Sequence, residues 1–489
     1  MNRPVASTRV RGAIAVLLLV ELFCSLEASM VYTALPTIAR QYGGMGNVTW
    51  LIAIFTLVQA TTVALGARLG DLYGRRRVLQ WILVLSAAGS LISAVGGDLW
   101  VIVAGRALQG VSAALLPLCF GIAREIAPQE RLSLIIGLLA GMYSASGAVG
   151  FLLGGVLTEQ FGWHSIFWVT LFLPTLVIPL VALFVPDNRP AARPQSLDLL
   201  GALLLVPGLA GLLLIVTYAL KWPVWTVIGM LLASVGLLVA WWRHESSVPH
   251  PLIDVHLLRN RGVAMANASF LFMGAGSMQM PLVVMAMIQQ PLWTGVGLGI
   301  GATVTGLLKL PSNLIAAFTA PLAGWLGGRI SPRMAATVGG SLGVLAWVVM
   351  IFAHSDLWLV VALTVVIGAS TSMMLAAMPS VVLVIAPSDR SSEATGMLSL
   401  SRTFGVSLGA QIAGVLMTTS LIAGTGGAVM PDDAAYRLTY ASLAGWTLLA
   451  LIACIAMPGK RNAYVVHSRE NKVSHQCKMP RDRVFTGGH

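Results

Sequence analysis

RLGDLYGRRR, residues 68–77, separates two long apolar runs in this chain of 489 residues. One carboxylate, two glycines and four arginines make these ten residues too polar to lie in hydrocarbon. The stretch therefore predicts a short loop between two membrane-spanning helices. Its arginines predict that the loop is cytoplasmic, because Lys and Arg are enriched in cytoplasmic loops of membrane proteins.

The composition indicates an integral membrane protein. Hydrophobic residues make up 57% of the chain and charged residues only 10%, which is more apolar surface than a water-soluble core of this length could bury. The net charge of +12 would suggest a nucleic-acid partner in a soluble protein. Here most bases fall in loops between apolar runs, so we expect contact with membrane lipid and no nucleic-acid partner.

Apolar runs of about 20 residues, the length that a helix needs to cross the hydrocarbon, recur along the chain. We predict fourteen spans, at 12–35, 49–68, 78–97, 99–122, 134–157, 165–185, 198–219, 223–242, 262–287, 297–326, 334–353, 357–385, 394–418 and 438–457. With the N-terminus inside, 24 of the 30 Lys and Arg residues are cytoplasmic and only Arg40, Lys221 and Arg437 are outside. This bias predicts a multi-pass protein of the plasma (inner) membrane with both termini cytoplasmic.

The chain contains an internal repeat, which is typical of transporters built from two related halves. Residues 324–333 are a counterpart of residues 67–76, and each segment follows the second helix of its half. We therefore predict an all-α membrane protein with six helices in each half. The predicted parts are a cytoplasmic N-terminus (1–11), an N-terminal bundle (12–185), a linker with two inserted helices (186–261), a C-terminal bundle (262–457) and a basic cytoplasmic tail (458–489).

The sequence carries no signature of an enzyme, a metal site or a cofactor site. Its four cysteines are scattered, three of them within predicted spans, and its eight histidines fall at span ends, in loops or in the tail. No nucleophile–base motif or phosphate-binding loop is present in the sequence. We therefore expect a transporter rather than an enzyme, without a cofactor or a metal, and we expect a monomer.

Four motifs occur in a fixed order along the chain. The loop pattern Gly-x-Leu-x-Asp-x-x-Gly-Arg-Arg is matched by Leu69, Asp71, Gly74, Arg75 and Arg76, with Ala67 in place of the first glycine. The first span carries Glu27 followed by Ala34-Leu35-Pro36, and the fourth span carries Arg106, Gln109 and Gly110 as Arg-x-x-Gln-Gly. The fifth span carries Gly147, Gly150, Gly154 and Gly155, in a pattern whose proline position is occupied by Phe151.

On these motifs the chain resembles the major facilitator superfamily, and within it the fourteen-helix drug:proton antiporter branch. The resemblance implies two six-helix bundles with two additional helices between them. It also implies a multidrug-type transporter that exports amphipathic small molecules by alternating access, in exchange for protons and driven by the proton motive force. Three alternatives stay open: proton symport for uptake, which Phe151 favours, transport of a specific metabolite, and translocation of lipids or lysolipids.

Only two of the eighteen carboxylates, Glu21 and Glu27, lie well inside a predicted span. Burial favours the protonated form of a carboxylate, which suits a group that takes up and releases protons. Glu27 occupies the acidic position of the family, so we predict that it carries the coupled proton, with Glu21 as a second carrier or a substrate contact. The alternative for either carboxylate is that it only pairs with a neighbouring arginine or backbone donor. Arg106 is the expected electrostatic partner within the membrane. The alternative for Arg106 is a static hydrogen bond between helices.

Three further groups of residues receive predicted roles. The substrate cavity is predicted to be lined by Glu27, Gln109, Lys309 and Met30. A cytoplasmic gate is predicted at Asp71, Gly74, Arg75 and Arg76, where Asp71 would bond to the start of the thirteenth span near Glu393 by resemblance; the alternative is a loop that only sets topology. A helix-packing motif is predicted at Gly147, Gly150, Gly154 and Gly155, because glycines three and four residues apart form a smooth helix face.

Overall fold

The chain is mostly helical in the computed structural model, which describes residues 7–127, 129–187, 198–219, 221–248, 255–329, 331–385, 391–424 and 429–457. The predictions for the first six residues, for residues 188–197 and 249–254 of the linker and for the tail 458–489 lie outside the described residues.

The described residues form seventeen α-helices. They are α1 (Ser7–Gln41), α2 (Met45–Val48), α3 (Trp50–Tyr73), α4 (Arg75–Val95), α5 (Leu99–Gln109), α6 (Leu115–Ile126), α7 (Gln129–Phe161), α8 (His164–Phe184), α9 (Leu199–Tyr218), α10 (Val224–Glu245), α11 (Arg261–Ala275), α12 (Met280–Gln289), α13 (Ala302–Arg329), α14 (Pro332–Phe352), α15 (Leu357–Ile385), α16 (Ser391–Leu416) and α17 (Asp433–Ala456). Nine helical segments within the described ranges are long and apolar enough to cross a membrane. The count of fourteen spans stays a prediction.

Two predicted spans contain a break. The 3-10 helix Gly110–Ala114 joins α5 to α6 and begins at the glycine of the Arg-x-x-Gln-Gly motif. A second 3-10 helix, Ser277–Gln279, separates α11 from α12. Pro281 lies in the first turn of α12, where its missing N–H costs nothing.

The prediction of a fold made of helices alone is wrong at one place. Leu421–Ala423 and Val429–Pro431 form an antiparallel two-stranded hairpin between α16 and α17. Strands of three residues are too short to show the alternation by which a strand is recognised in sequence. After the hairpin, Asp432 accepts hydrogen bonds from the Ser420 hydroxyl at 2.6 Å and from the N–H of Ala435 at 2.9 Å, and these bonds lower its pKa.

The helices pack as two bundles that meet through a few pairs. Within the first half, α1 packs along α7, and α4 packs against α5 and α8. Within the second half, α14 packs against α15 and α17, and α11 against α16 and α17. The bundles meet where α7 contacts α13 and where α3 contacts α16. These pairs are the packing surfaces on which the two halves can move against each other.

The two inserted helices form a pair of their own. α9 packs on α10 and also touches α3 and α16, so it covers a seam between the halves. The Thr217 hydroxyl of α9 donates to Gln411 Oε1 of α16 at 2.7 Å. On α10, Trp225 and Leu232 are 80% and 67% exposed, as expected for side chains that face lipid rather than protein. The inserted pair is therefore attached through α9.

Glycines set the distance between α1 and α7. A Cβ atom at Gly154 would lie 2.6 Å from the Met30 carbonyl oxygen and 2.6 Å from Thr33 Oγ1. At Gly150 it would collide with the Ser29 hydroxyl, whereas at Gly147 the Ser25 hydroxyl lies 3.2 Å away. These three glycines therefore face α1. Gly155 instead faces α13, where a Cβ would collide with the Ala302 carbonyl oxygen.

Gly154→Leu should destabilise the protein by about 1–3 kcal/mol, because the new side chain forces α1 away from α7. The measurement is thermal unfolding of the purified protein in detergent. Gly236→Leu on α10 is the matched control, since no atom lies within 4 Å of a Cβ built there. Equal unfolding temperatures for the two variants would contradict the close approach of α1 and α7.

Candidate functional site

Glu27 lies in α1 with only 1% of its surface exposed. The Ser86 hydroxyl of α4 donates a short hydrogen bond to Glu27 Oε1. Among the described residues, no hydrogen bond reaches the other oxygen, Oε2, although the Ser112 hydroxyl lies nearby. The carboxyl group therefore points into the first half of the protein, between α1, α4 and the 3-10 helix after α5.

Arg106 lies directly beside Glu27 and is 1% exposed. Its Nε donates to the Leu51 carbonyl oxygen at 3.1 Å, and its Nη1 donates to the Glu27 carbonyl oxygen at 3.3 Å and to Gln109 Oε1 at 2.9 Å. The guanidinium carbon lies 3.9 Å from the centre of the Phe55 ring. One buried cation thus connects α5 to α1 and α3 through main-chain acceptors and an aromatic face.

The predicted partnership of Glu27 and Arg106 therefore has a specific form. The two residues are neighbours, but the guanidinium bonds to the main-chain carbonyl of Glu27. In the described part of the chain, no ion pair joins the guanidinium to the Glu27 carboxylate within 4.0 Å. The static hydrogen bond between helices, which the sequence left open, is the arrangement found in this conformation.

Gln109 and Met30, both predicted to line the substrate cavity, are buried in this conformation. The Gln109 amide donates to Ser90 Oγ at 2.7 Å and to Thr170 Oγ1 at 3.3 Å, while its oxygen accepts from Arg106. Met30 is 1% exposed, and its main chain lies against Gly154. Substrate contact by either residue stays a prediction, and it requires these helices to separate.

Glu21 lies two turns before Glu27 on α1 and is fully buried. Its neighbours are the thiols of Cys119 and Cys24, within the apolar core of the first half. Neither of its oxygens meets a close hydrogen-bond donor among the described residues. Its predicted role as a second proton carrier or a substrate contact stays a prediction.

Lys309 occupies a separate position, on α13 of the second half. Its Nζ donates to Ser312 Oγ at 2.9 Å and to Asn313 Oδ1 at 3.0 Å, and lies 5.7 Å from the centre of the Phe151 ring. The Phe151 ring in turn lies 5.9 Å from the ring of Tyr32. Phe151, which occupies the proline position of the antiporter pattern, therefore lies between α1 and Lys309.

Sequence reasoning missed Ser86 and Tyr32. A signal for Ser86 was available, because Ser86, Ser90 and Ser93 recur at helical spacing within an apolar span, and all three are fully buried. Two of these hydroxyls bond to Glu27 and Gln109. Tyr32 had no comparable signal, because an aromatic residue in a membrane helix is usually a packing residue.

The predicted cytoplasmic gate is described only in part, because the side chains of Asp71 and Glu393 lie outside the described residues. Gly74 has a φ of 96° and separates α3 from α4, which allows the sharp turn between them. Arg75 pairs with Glu125 at 2.9 Å, and Arg76 donates to the Ala182 carbonyl oxygen at 2.5 Å. These contacts remain within the first half, and the gate stays a prediction.

The described hydrogen bonds between the halves lie between the middle of the predicted membrane region and its outer side. Thr56 Oγ1 and Ser407 Oγ are 2.6 Å apart, and Ser407 also donates to the Ala53 carbonyl oxygen at 3.0 Å. Gln289 donates to the Thr33 carbonyl oxygen at 3.2 Å, and Thr303 donates to Glu159. The outer parts of α1, α3 and α7 are thus bonded to the second half.

A cavity of about 470 Å³ lies at this same outer end, beyond the bonded contacts. Its lining includes Arg40, Gln289, Gln290 and Tyr436, together with methionine and proline side chains. None of the residues predicted to line the substrate cavity is among those that line it.

Two packed sets of helices, in which nine described segments are long and apolar enough to cross a membrane, indicate a multi-pass membrane protein. The Major Facilitator Superfamily profile matches residues 17–239 and 265–476. The chain belongs to this family, so it is a multi-pass membrane transporter rather than an enzyme. The match includes most of both predicted bundles and of the inserted helices.

Several relatives are named for resistance to drugs or to methyl viologen, and another is named as a uridine/deoxyuridine transporter. The chain is 29% identical over 409 residues to the multidrug resistance protein Stp of Mycobacterium tuberculosis, which covers 81% of this chain and 74% of the relative. It is 27% identical over 421 residues to the methyl viologen resistance protein SmvA of Salmonella typhimurium, covering 84% and 83%. The crystal structure of the POT family transporter PepTSo has the same fold, with a TM-score of 0.64 at 13% identity, covering 94% of this chain and 98% of that one.

Arg106→Lys should lower the free energy of unfolding by about 3 kcal/mol or more, because an ammonium cannot reproduce the hydrogen bonds of the guanidinium. Thermal unfolding in detergent checks this value. Arg243→Lys on the exposed end of α10 is the control and should change stability by no more than about 0.5 kcal/mol. An equally small effect at position 106 would mean that the positive charge alone matters there.

Proposed function

We propose that this transporter exports amphipathic small molecules in exchange for protons, by alternating access across the plasma membrane. Its relatives Stp and SmvA are named for resistance to drugs and to methyl viologen, which supports export of small molecules. The proton motive force supplies the energy, and no cofactor takes part. Both termini lie in the cytoplasm, as the distribution of Lys and Arg favours.

The observation that carries the proposal is the environment of Glu27. The Glu27 carboxyl is 1% exposed and accepts one hydrogen bond among the described residues, while the neighbouring Arg106 guanidinium bonds to main-chain oxygens and Gln109 instead of to it. The protonated carboxyl fits the same place, because Ser86 donates to Oε1 and the proton resides on Oε2. This conformation therefore supports a proton-loaded Glu27.

The hydrogen bonds between the two halves on the outer side also fit a state in which Glu27 is protonated and the protein is closed to the outside. A proton that enters from outside neutralises Glu27, and the two halves then close at their outer ends. Release of the proton toward the cytoplasm leaves a buried negative charge beside Arg106. Substrate is taken up from the cytoplasmic side at this stage, and reopening at the outer end completes the exchange.

Arg106 provides a route from proton release to movement of the halves. A newly charged Glu27 carboxylate attracts the guanidinium more strongly than the main-chain oxygens do. If Arg106 turns toward the carboxylate, α3 loses the bond at Leu51 and the contact at Phe55. Thr56, the next residue of α3, bonds to Ser407 of the second half. In this mechanism a change of charge at Glu27 alters the contact between α3 and α16.

Proton symport is the second candidate, and Phe151 is the observation that favours it. Phenylalanine occupies the proline position of the antiporter pattern. The direction of proton movement separates the two mechanisms, because an antiporter moves protons against the substrate and a symporter moves both together. If the protein instead translocates lipids, lysolipids or a single metabolite, no drug in the panel will cause proton movement.

Glu27→Gln should abolish substrate-driven proton movement, because the amide has nearly the same size as the carboxyl but carries no transferable proton. Proteoliposomes with an acidic interior and a trapped pH-sensitive dye would receive cationic, neutral and anionic amphipaths from outside. Antiport by the wild type should raise the internal pH, whereas symport should lower it.

Glu21→Gln is the matched control, since it makes the same change at a buried carboxyl of the same helix. We expect it to retain substrate-driven proton movement, and the number of protons moved per substrate then tests its role as a second carrier. Unchanged proton coupling in a folded Glu27→Gln variant would refute the assignment of Glu27.

A further inference from the structure

Lys309 is a buried cation whose hydrogen-bond partners are neutral. It is 7% exposed, and its bonds go to the Ser312 hydroxyl and the Asn313 amide oxygen, both on its own helix. No carboxylate of the described residues lies within 4.0 Å of its ammonium. Burying a charged group among neutral partners is unfavourable, so the Lys309 ammonium does not stabilise the folded protein.

The Lys309 ammonium lies beside a pair of aromatic side chains. It lies 5.7 Å from the Phe151 ring, which is within the range of a cation–π contact. The Phe151 ring contacts Tyr32, and Tyr32 lies close enough to Arg106 and Arg402 to interact with both electrostatically. This group of residues comes from α1, α5, α7, α13 and α16, and therefore from both halves.

The Glu27 carboxyl group is directed away from Lys309. Glu27 bonds to Ser86 of α4, within the first half. It lies five residues before Tyr32 on α1, which places the two side chains about 140° apart around the helix. The region between Phe151, Tyr32 and Lys309 therefore lies on a different side of α1 from the carboxyl group.

We propose that Lys309 binds the acidic group of the transported molecule, and that the preferred substrates are aromatic carboxylates or sulfonates. Phe151 and Tyr32 would contact the aromatic body, and the ammonium would exchange its neutral partners Ser312 and Asn313 for the anion. The inference rests on the proposed export of amphipathic molecules and specifies their charge.

The charge of the substrate also determines how membrane voltage acts on transport. In a one-for-one exchange, an anion leaving while a proton enters moves two positive charges inward. The same exchange with a monovalent cation moves no net charge. An inside-negative potential should therefore accelerate export of an anionic substrate and leave exchange of a monovalent cation unchanged.

The test uses three fluorescent compounds that share one aromatic body: anthracene carboxylate, anthracene methanol and anthracene methylamine. Transport of each into proteoliposomes is measured for the wild type, Lys309→Gln and Lys309→Arg. The wild type should have the lowest KM for the carboxylate. Lys309→Gln should raise that KM by about tenfold or more and change the KM of the alcohol less than about twofold, because only the ionic hydrogen bond is lost. Lys309→Arg should keep most of the preference for the carboxylate.

Lys221→Gln is the matched control. This lysine also lies near an aromatic ring, 6.0 Å from the centre of Tyr218, but it is exposed on the predicted outer side. The control removes the same charge and should leave all three KM values unchanged.

Lys309→Gln should fold at least as well as the wild type, since it removes a poorly compensated buried charge, and thermal unfolding checks this.

The two proposals fail in different ways. If the amine and the alcohol drive proton movement while the carboxylate does not, the proton exchange stands and the role of Lys309 is refuted. If the carboxylate is transported with a Lys309-dependent KM but no compound moves protons, the substrate assignment stands and the proton exchange is refuted. An unchanged KM for the carboxylate in Lys309→Gln refutes the role of Lys309 directly.

Discussion

The burial of Arg106 is the constraint on which the arrangement of the first half depends. A guanidinium in a membrane interior must find all its acceptors within the protein, because neither water nor lipid supplies them there. Arg106 finds them on three helices, as the carbonyl oxygens of Leu51 and Glu27 and the side chain of Gln109. The positions of α1, α3 and α5 are therefore tied to a single side chain.

The same constraint places Glu27, the proposed proton-binding group, close to the contact between the two halves. α1 carries Glu27, and α3 carries both the Leu51 carbonyl that holds Arg106 and the Thr56 hydroxyl that bonds to Ser407. A change of charge at one acid can alter the contacts of α3 without moving any helix far. Glycines at the contacts of α7 with α1 and α13 allow those backbones to approach closely.

Two kinds of buried charge occupy different halves of the protein. Glu27 and Arg106 lie in the first half, where main-chain carbonyls and serine hydroxyls surround them. Lys309 lies in the second half, where its partners are a hydroxyl and an amide. The proposed exchange of a proton for a substrate uses this separation, because the two would be bound at different places.

The sequence alone determined the class of the protein, its family and most of its helices, because apolar length, basic loops and motif spacing are local properties of a membrane chain. It also singled out Glu27, Arg106 and Lys309 as charges within apolar runs, and the structure shows all three buried, while their roles stay predictions. It did not determine their partners: the main-chain bonds of Arg106, the Ser86 donor and the Phe151–Tyr32 contact join residues far apart in the chain. It also missed the hairpin at 421–431, whose strands are too short to show a pattern. Only the tertiary structure decided which buried groups face one another, because that depends on how the helices pack.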